Sequence, residues 1–278
     1  MITLLSALFA SICTVGNSFF TKLASGKNGS ANIMKFNAVK SFAALIFFLP
    51  FFMGKGFHIP TVLYACAYGF LSFFSTTFGF LALMSGSMAI TSLIVSYSVL
   101  IPCLFGFIFL NEPMTVLRIA GILLLSISMY LLKANKQSVP TKKNWLLYVT
   151  ITFFCNGLCS VIQKLHQIAF PSQYCTEFIF FSVCLNFILF GGISLFKKGK
   201  LSSSVTTYAT IAGIFTTLAN FTTLFLSAKV NATILFPIVC VFTTLFNVVI
   251  SKFLFKDKFS ILQLAGIVLG IVSVIFIK

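Results

Sequence analysis

The chain has 278 residues, 59% of them hydrophobic and only 8% charged, and its mean hydropathy is +1.09. Soluble domains carry roughly 45–50% apolar and about 25% charged residues, and no water-soluble fold of this size has interior enough to hide the excess. The composition is that of an all-α polytopic membrane protein. The net charge of +16 reflects scarce acids, 19 Lys and Arg standing against Glu112, Glu177 and Asp257. Because the cations sit singly or in short clusters between apolar runs, rather than on one soluble surface, a nucleic-acid partner is excluded.

Inside a bilayer every backbone polar group must be satisfied within the spanning segment, so apolar runs of about 20 residues become helices. Ten transmembrane helices are predicted, at about 3–24, 34–53, 60–83, 87–109, 115–132, 145–163, 173–196, 207–227, 232–253 and 260–277. The first run starts without a basic leader and without a small-residue cleavage site, and reads as a retained helix rather than a signal peptide. The longest hydrophilic linker, 133–144, carries Lys133, Lys136, Lys142 and Lys143 and divides the chain into 1–132 and 145–278. Each half then holds five spans. An odd number makes the second half enter the membrane from the opposite side, so the halves are expected to be inverted repeats, a plan common among secondary transporters. The repetition is legible in the sequence itself. Leu110-Asn111-Glu112-Pro113-Met114-Thr115 returns 145 positions later as Phe255-Lys256-Asp257-Lys258-Phe259-Ser260, each before an apolar run. Loops after the odd-numbered helices hold most of the lysines, and the positive-inside bias puts them in the cytoplasm and both termini outside.

Polar residues at membrane depth are costly unless they pair or face a cavity. Thr216, Asn220, Thr223 and Ser227 make one face of the eighth helix, Thr243, Asn247 and Ser251 one face of the ninth, and Asn156, Ser160 and Gln163 one face of the sixth. Ser72, Ser75, Thr76 and Gly79 make a comparable face of the third. Such stripes either glue helices together or line a cavity. In the cavity reading Asn156, Asn220 and Asn247 supply the donors and acceptors for a small solute. Glu177, near the start of the seventh helix, is a candidate proton carrier or ion-pair partner. Lys22 and Lys40 are its candidate counterparts; facing a cavity they favour a carboxylate or another anion, and otherwise they snorkel to the interface. Lys164 and Lys229 are expected to be interfacial anchors at helix ends. Glu112 and Asp257 are expected to cap the helices that follow them, with Thr115 and Ser260 as N-cap residues. Pro102 and Pro237 interrupt the fourth and ninth helices. The pair Phe73 and Phe74, with Phe221, is a candidate pocket wall.

The eight cysteines all lie in apolar runs and read as small hydrophobes. His58 and His166 stand alone in the sequence. No metal site, Walker loop or dinucleotide glycine pattern is present, so no metal and no cofactor is expected, and no catalytic residue is assigned.

The repeated acidic turn resembles one family. Ala82, Leu83, Ala89, Glu112, Thr115, Arg118 and Gly121 in the first copy, and Pro237, Asp257, Ser260, Gln263 and Gly266 in the second, resemble the drug/metabolite transporter superfamily, specifically its ten-helix bacterial members with two EamA-type repeats. Asn111 and Lys256 replace the usual glycine before the acid, the second acid is Asp rather than Glu, and Ser92 stands where the second copy has Pro237. The resemblance implies an exporter or exchanger of a small polar metabolite such as an amino acid, working by alternating access with the solute held between the two five-helix units. It implies a bacterial inner or plasma membrane, a small-molecule substrate, the lipid bilayer and protons as partners, and a monomer or homodimer. It also implies cytoplasmic termini, against the lysine count. The alternatives are a multi-pass membrane enzyme, which calls for clustered acids or histidines, and a non-transporting assembly protein, which calls for a large loop.

Overall fold

A computed structural model describes residues 2–25, 33–53, 56–85, 91, 94–113, 115–133, 144–196, 201–255 and 261–277. Among them are ten α-helices: α1 Ile2–Ser25, α2 Ile33–Phe52, α3 Ile59–Ser85, α4 Leu100–Phe109, α5 Val116–Lys133, α6 Trp145–Ala169, α7 Cys175–Leu195, α8 Ser203–Ser227, α9 Ala232–Phe255 and α10 Ile261–Ile277. The described residues hold no strand. Helices α1, α2, α3, α6, α7 and α8 are long and apolar enough to cross a membrane, and the apolar stretches Ile94–Phe109, Val116–Ser128 and Ala232–Phe246 are shorter. The protein is an all-α polytopic membrane protein. The second acidic turn with Asp257 and the central linker from 134 to 143 lie outside the described residues.

The chain forms two compact units, and they are not the two sequence halves. One comprises Met1–Phe73 with Ile162–Lys229, and the other Phe74–Val161 with Val230–Lys278, so α3 and α6 each contribute to both. In the first unit α1 packs on α8, and α2 packs on α7 and α8. Phe42 meets Phe187 and Phe52 stacks on Phe180 at 4.3 Å, which makes α2 and α7 antiparallel. Phe48 meets Phe221 while the Lys40 carbonyl abuts Gly213, which makes α2 and α8 parallel. In the second unit α5 packs on α10, and α9 packs on α4, α5 and α10.

Two positions show how close these contacts are. A Cβ added at Gly213 would lie 2.2 Å from the Lys40 carbonyl oxygen, so α2 and α8 meet backbone to backbone, and only glycine leaves room. In the second unit Ser128 Oγ donates to the Gly266 carbonyl at 2.7 Å, and a Cβ at Gly270 would lie 2.9 Å from that same hydroxyl. Small residues let these helices approach, as lipid-exposed helices require in the absence of a hydrophobic drive between them. The irregular turn before α4 has a local cause. Pro102 has no N–H to give the Ser98 carbonyl, and the backbone just ahead of it, Tyr97–Val99, winds as a 3-10 turn.

Two charged residues act differently from their sequence reading. Thr115 is the N-cap of α5, its Oγ1 accepting from the Arg118 N–H at 3.3 Å. Glu112, however, reaches the start of another helix. Asn111 takes a left-handed conformation at φ 49 and turns the chain so that the Glu112 carboxylate meets the start of α9. There Oε1 accepts from the Ala232 N–H at 2.8 Å, and Oε2 accepts from the Thr233 N–H and the Thr233 hydroxyl, both at 2.9 Å. A buried carboxylate thus satisfies orphan donors of a helix 120 residues away and sits at the positive end of its dipole. Gly106 makes space for it, since a Cβ there would lie 2.7 Å from Oε2. Lys164 is likewise not an interfacial anchor. It is buried, and its Nζ donates to the Ser227 carbonyl at 3.0 Å, capping the C-terminus of α8. Lys229 lies over the Phe225 ring at 4.2 Å.

Gly213→Ala is expected to lower stability by roughly 1–3 kcal/mol through overpacking, read as a drop in Tm of the detergent-solubilised protein. Gly192→Ala, with nothing within 4 Å of the added methyl, is the matched control and leaves Tm unchanged. Glu112→Gln sets one acceptor against three donors and is expected to cost about 1–3 kcal/mol in the same assay; a Tm equal to that of the parent would refute the cap.

Candidate functional site

The hydroxyl stripe of α8 proves self-satisfied, whereas in α9 the buried Thr243 Oγ1 has no hydrogen-bond partner among the described residues. Thr216 Oγ1 donates to the Ala212 carbonyl at 2.8 Å and Thr223 Oγ1 to the Ala219 carbonyl at 2.9 Å. Ser227 Oγ donates to the Leu224 carbonyl at 2.7 Å, with the Gln163 carbonyl at 3.3 Å. Such back-bonding to the preceding turn spends the hydroxyl proton within the helix. Ser72 Oγ donates to the Gly69 carbonyl at 2.9 Å and accepts from Asn186 Nδ2 at 2.8 Å, joining α3 to α7. On these residues the helix-packing reading holds.

The six candidate site residues fall in different places. Lys40, Glu177 and Asn220 belong to the first unit, and Asn156 to the second. The side chains of Lys22, in α1, and Asn247, in α9, lie outside the described part. Asn156 Nδ2 donates to Ser98 Oγ at 2.7 Å, tying α6 to the turn before α4. Asn220 is half-buried on α8, seven residues beyond Gly213 and so roughly 10 Å along the helix from the level of Lys40. The aromatic wall dissolves into helix packing, because Phe73 meets Phe190, Phe74 stacks on Phe78 and Phe221 meets Phe48.

Lys40 is not the counterpart of Glu177. The antiparallel register of α2 and α7 puts Phe52 at the level of Phe180, so Lys40 and Glu177 are on the order of 20 Å apart along the helix axis. Lys40 Nζ instead donates to Asn17 Oδ1 at 2.7 Å, and Thr21 Oγ1 lies 3.4 Å from the same oxygen. Asn17 and Thr21 escaped the sequence reading, although their spacing by four on α1 was there to be seen.

Glu177 stands in the first turn of α7, which is buried on every side from Cys175 to Ile179. The residue is 4% exposed, and its Oε2 has no hydrogen-bond partner among the described residues. The turn that delivers it is held from below. Tyr174 takes a left-handed conformation, φ 51, and its ring stacks on His58 at 4.0 Å. Gln167 Oε1 accepts from the Ser172 N–H at 2.9 Å, which orients the amide, so Nε2 donates to His166 Nδ1 at 2.9 Å. His166 is therefore neutral with its proton on Nε2, directed at Thr61 Oγ1 at 3.1 Å, and Thr61 in turn donates to His58 Nδ1 at 2.9 Å. The two histidines, isolated in sequence, are joined by one threonine into a chain linking α3, α6 and the start of α7. Among the described residues no group of three His, Cys, Asp or Glu side chains is placed to hold a metal.

Among the described residues the arrangement is a set of apolar helices carrying a few polar groups, with the Glu177 carboxylate and the Lys40 ammonium at different depths of the first unit. Residues 1–134 match the sequence profile of the EamA-like transporter family. A protein of known crystal structure, 13% identical, superimposes with a TM-score of 0.77 over 99% of this chain and 98% of its own, a likeness of fold. No curated protein matches in sequence. Over residues 1–134 the chain belongs to the EamA-like transporter family of the drug/metabolite transporter superfamily.

Proposed function

We propose that the protein is a secondary transporter of a small polar metabolite such as an amino acid, an exporter or exchanger that works by alternating access in a bacterial inner or plasma membrane. Two EamA-type repeats, 1–132 and 145–278, joined by the basic linker 133–144, are its working parts. The helix pairing supports the repeats. Counting the second half from α6, α2 packs on α7, α4 on α9 and α5 on α10, each a helix with its own equivalent. The pair α1 with α8 has a lighter counterpart in α3 with α6, which touch through rings where Tyr64 meets His166 and Phe78 meets Tyr148. Equivalent helices run antiparallel where α2 meets α7, as inverted repeats require.

The observation that carries the transport reading is the buried, unpartnered Glu177 oxygen. A carboxyl side chain at membrane depth without a donor marks a functional position. A group of this kind serves a transporter as its coupling site, because the protonated and ionised forms favour different conformations.

Purified protein in liposomes is expected to move members of an amino-acid and metabolite panel, faster with an imposed pH gradient. Glu177→Gln is expected to remove the response to the gradient while leaving solute exchange intact. Gradient-driven uptake unchanged in that variant would take Glu177 out of the coupling role, and folded protein that moves no member of the panel would end the reading altogether.

A further inference from the structure

We propose that Lys40 and Asn17 form the docking point for a carboxylate on the transported solute. The proposal rests on the transporter reading and adds the charge class of the solute.

Lys40 is the eighth residue of α2, roughly 10 Å along the helix from Ile33. A cation at that depth needs compensation, and the chain has three acids in all. Glu112 is committed to the N-terminus of α9, Glu177 is on the order of 20 Å away along α2 and α7, and Asp257 lies outside the described residues. Among the described residues the group that meets the ammonium is the neutral Asn17 side chain, at 2.7 Å.

The chemistry of that contact fixes what can complete it. An ammonium only donates, so the Asn17 atom facing it is the amide oxygen. With Lys40 and Thr21 both on that oxygen, the Asn17 NH2 points away from them. What the cluster offers outward is N–H from Lys40 and N–H from Asn17, beside one positive charge. The complement is an anion with two acceptor oxygens in one plane. Asn17, Thr21 and Lys40 are each half-buried. One turn along α1 from Asn17, Phe20 stacks on Phe215 with centroids 6.0 Å apart, and Gly16 abuts the same Phe215 ring. The donors therefore lie next to an aromatic surface suited to the apolar part of a small organic acid.

The test uses the full chain in liposomes and the twenty common amino acids, each paired as competitor with its amide and with the amine lacking the carboxyl group. In the parent protein the acids are expected to compete at least about tenfold better than their amides, the value of one charge-assisted contact. Lys40→Met is expected to abolish that preference, and Lys40→Arg to keep it. Asn17→Asp retains the lysine but supplies an internal carboxylate in place of the solute's, and is expected to suppress transport of acids even if Lys40→Met fails to fold. Equal competition by acids and amides in the parent protein, or undiminished acid transport in Lys40→Met or in Asn17→Asp, overturns the docking point and leaves the transporter reading standing. If no solute moves at all, both fall. If a lipid phosphate occupies Lys40 instead, Lys40→Met keeps the parental ratio of acid to amide and alters only the response to replacing neutral by anionic lipid, which also overturns the proposal.

Discussion

A bilayer offers no water to a stranded donor or acceptor, and the distribution of polar groups in this protein follows from that one constraint. Threonine and serine hydroxyls in α1 and α8 resolve it locally by bonding to the preceding turn, as Thr14, Ser18, Thr216 and Thr222 do. Helix ends resolve it through side chains sent from elsewhere in the chain, Glu112 to the start of α9 and Lys164 to the end of α8. Among the described residues, the buried polar atoms left without a partner are Thr77 Oγ1, Thr243 Oγ1 and Glu177 Oε2, and Lys40 meets a neutral amide.

The two carboxylates show how much environment decides. Glu112 has three donors on its two oxygens and the positive end of a helix behind them, so its charge is stabilised where it stands. Glu177 also stands in the first turn of a helix, but one of its oxygens is buried without a donor. The same side chain is a structural clamp in one place and a candidate for proton uptake in the other. The His58, Thr61 and His166 chain belongs with the clamp. It fixes Gln167, and Gln167 in turn bonds the Ser172 N–H and the Cys175 sulfur at 3.3 Å, holding the turn from which Glu177 projects.

Apolar run length made the helices legible in the sequence, because the hydrocarbon core permits one spanning solution for each such run. The C-terminal end of α6 shows the limit of that reading. Lys164 and His166 looked like a helix terminus, whereas α6 continues to Ala169 because both are buried and bonded to other helices. Polar periodicity found the right face of α8 but could not tell a hydroxyl turned back on its own backbone from one offered to a solute. Contacts between distant positions were not legible at all. Nothing in the spacing of Glu112 and Ala232, or of His58 and His166, announces that they meet, since helix pairing places them together and pairing is not written in local pattern.

The distance between Lys40 and Glu177 constrains any coupling mechanism built on them. At roughly 20 Å along the helix axis they cannot exchange a proton or share an ion directly. A solute carboxylate at the first and a proton at the second would influence one another only by favouring the same conformation of the protein, which is linkage through a shared equilibrium. The element common to both is the antiparallel pair of α2 and α7, packed through Phe42 on Phe187 at one level and Phe52 on Phe180 at the other. α2 carries Lys40 and meets α8 backbone to backbone at Gly213, while α7 carries Glu177 in its first turn. A small displacement of this pair would alter both sites at once.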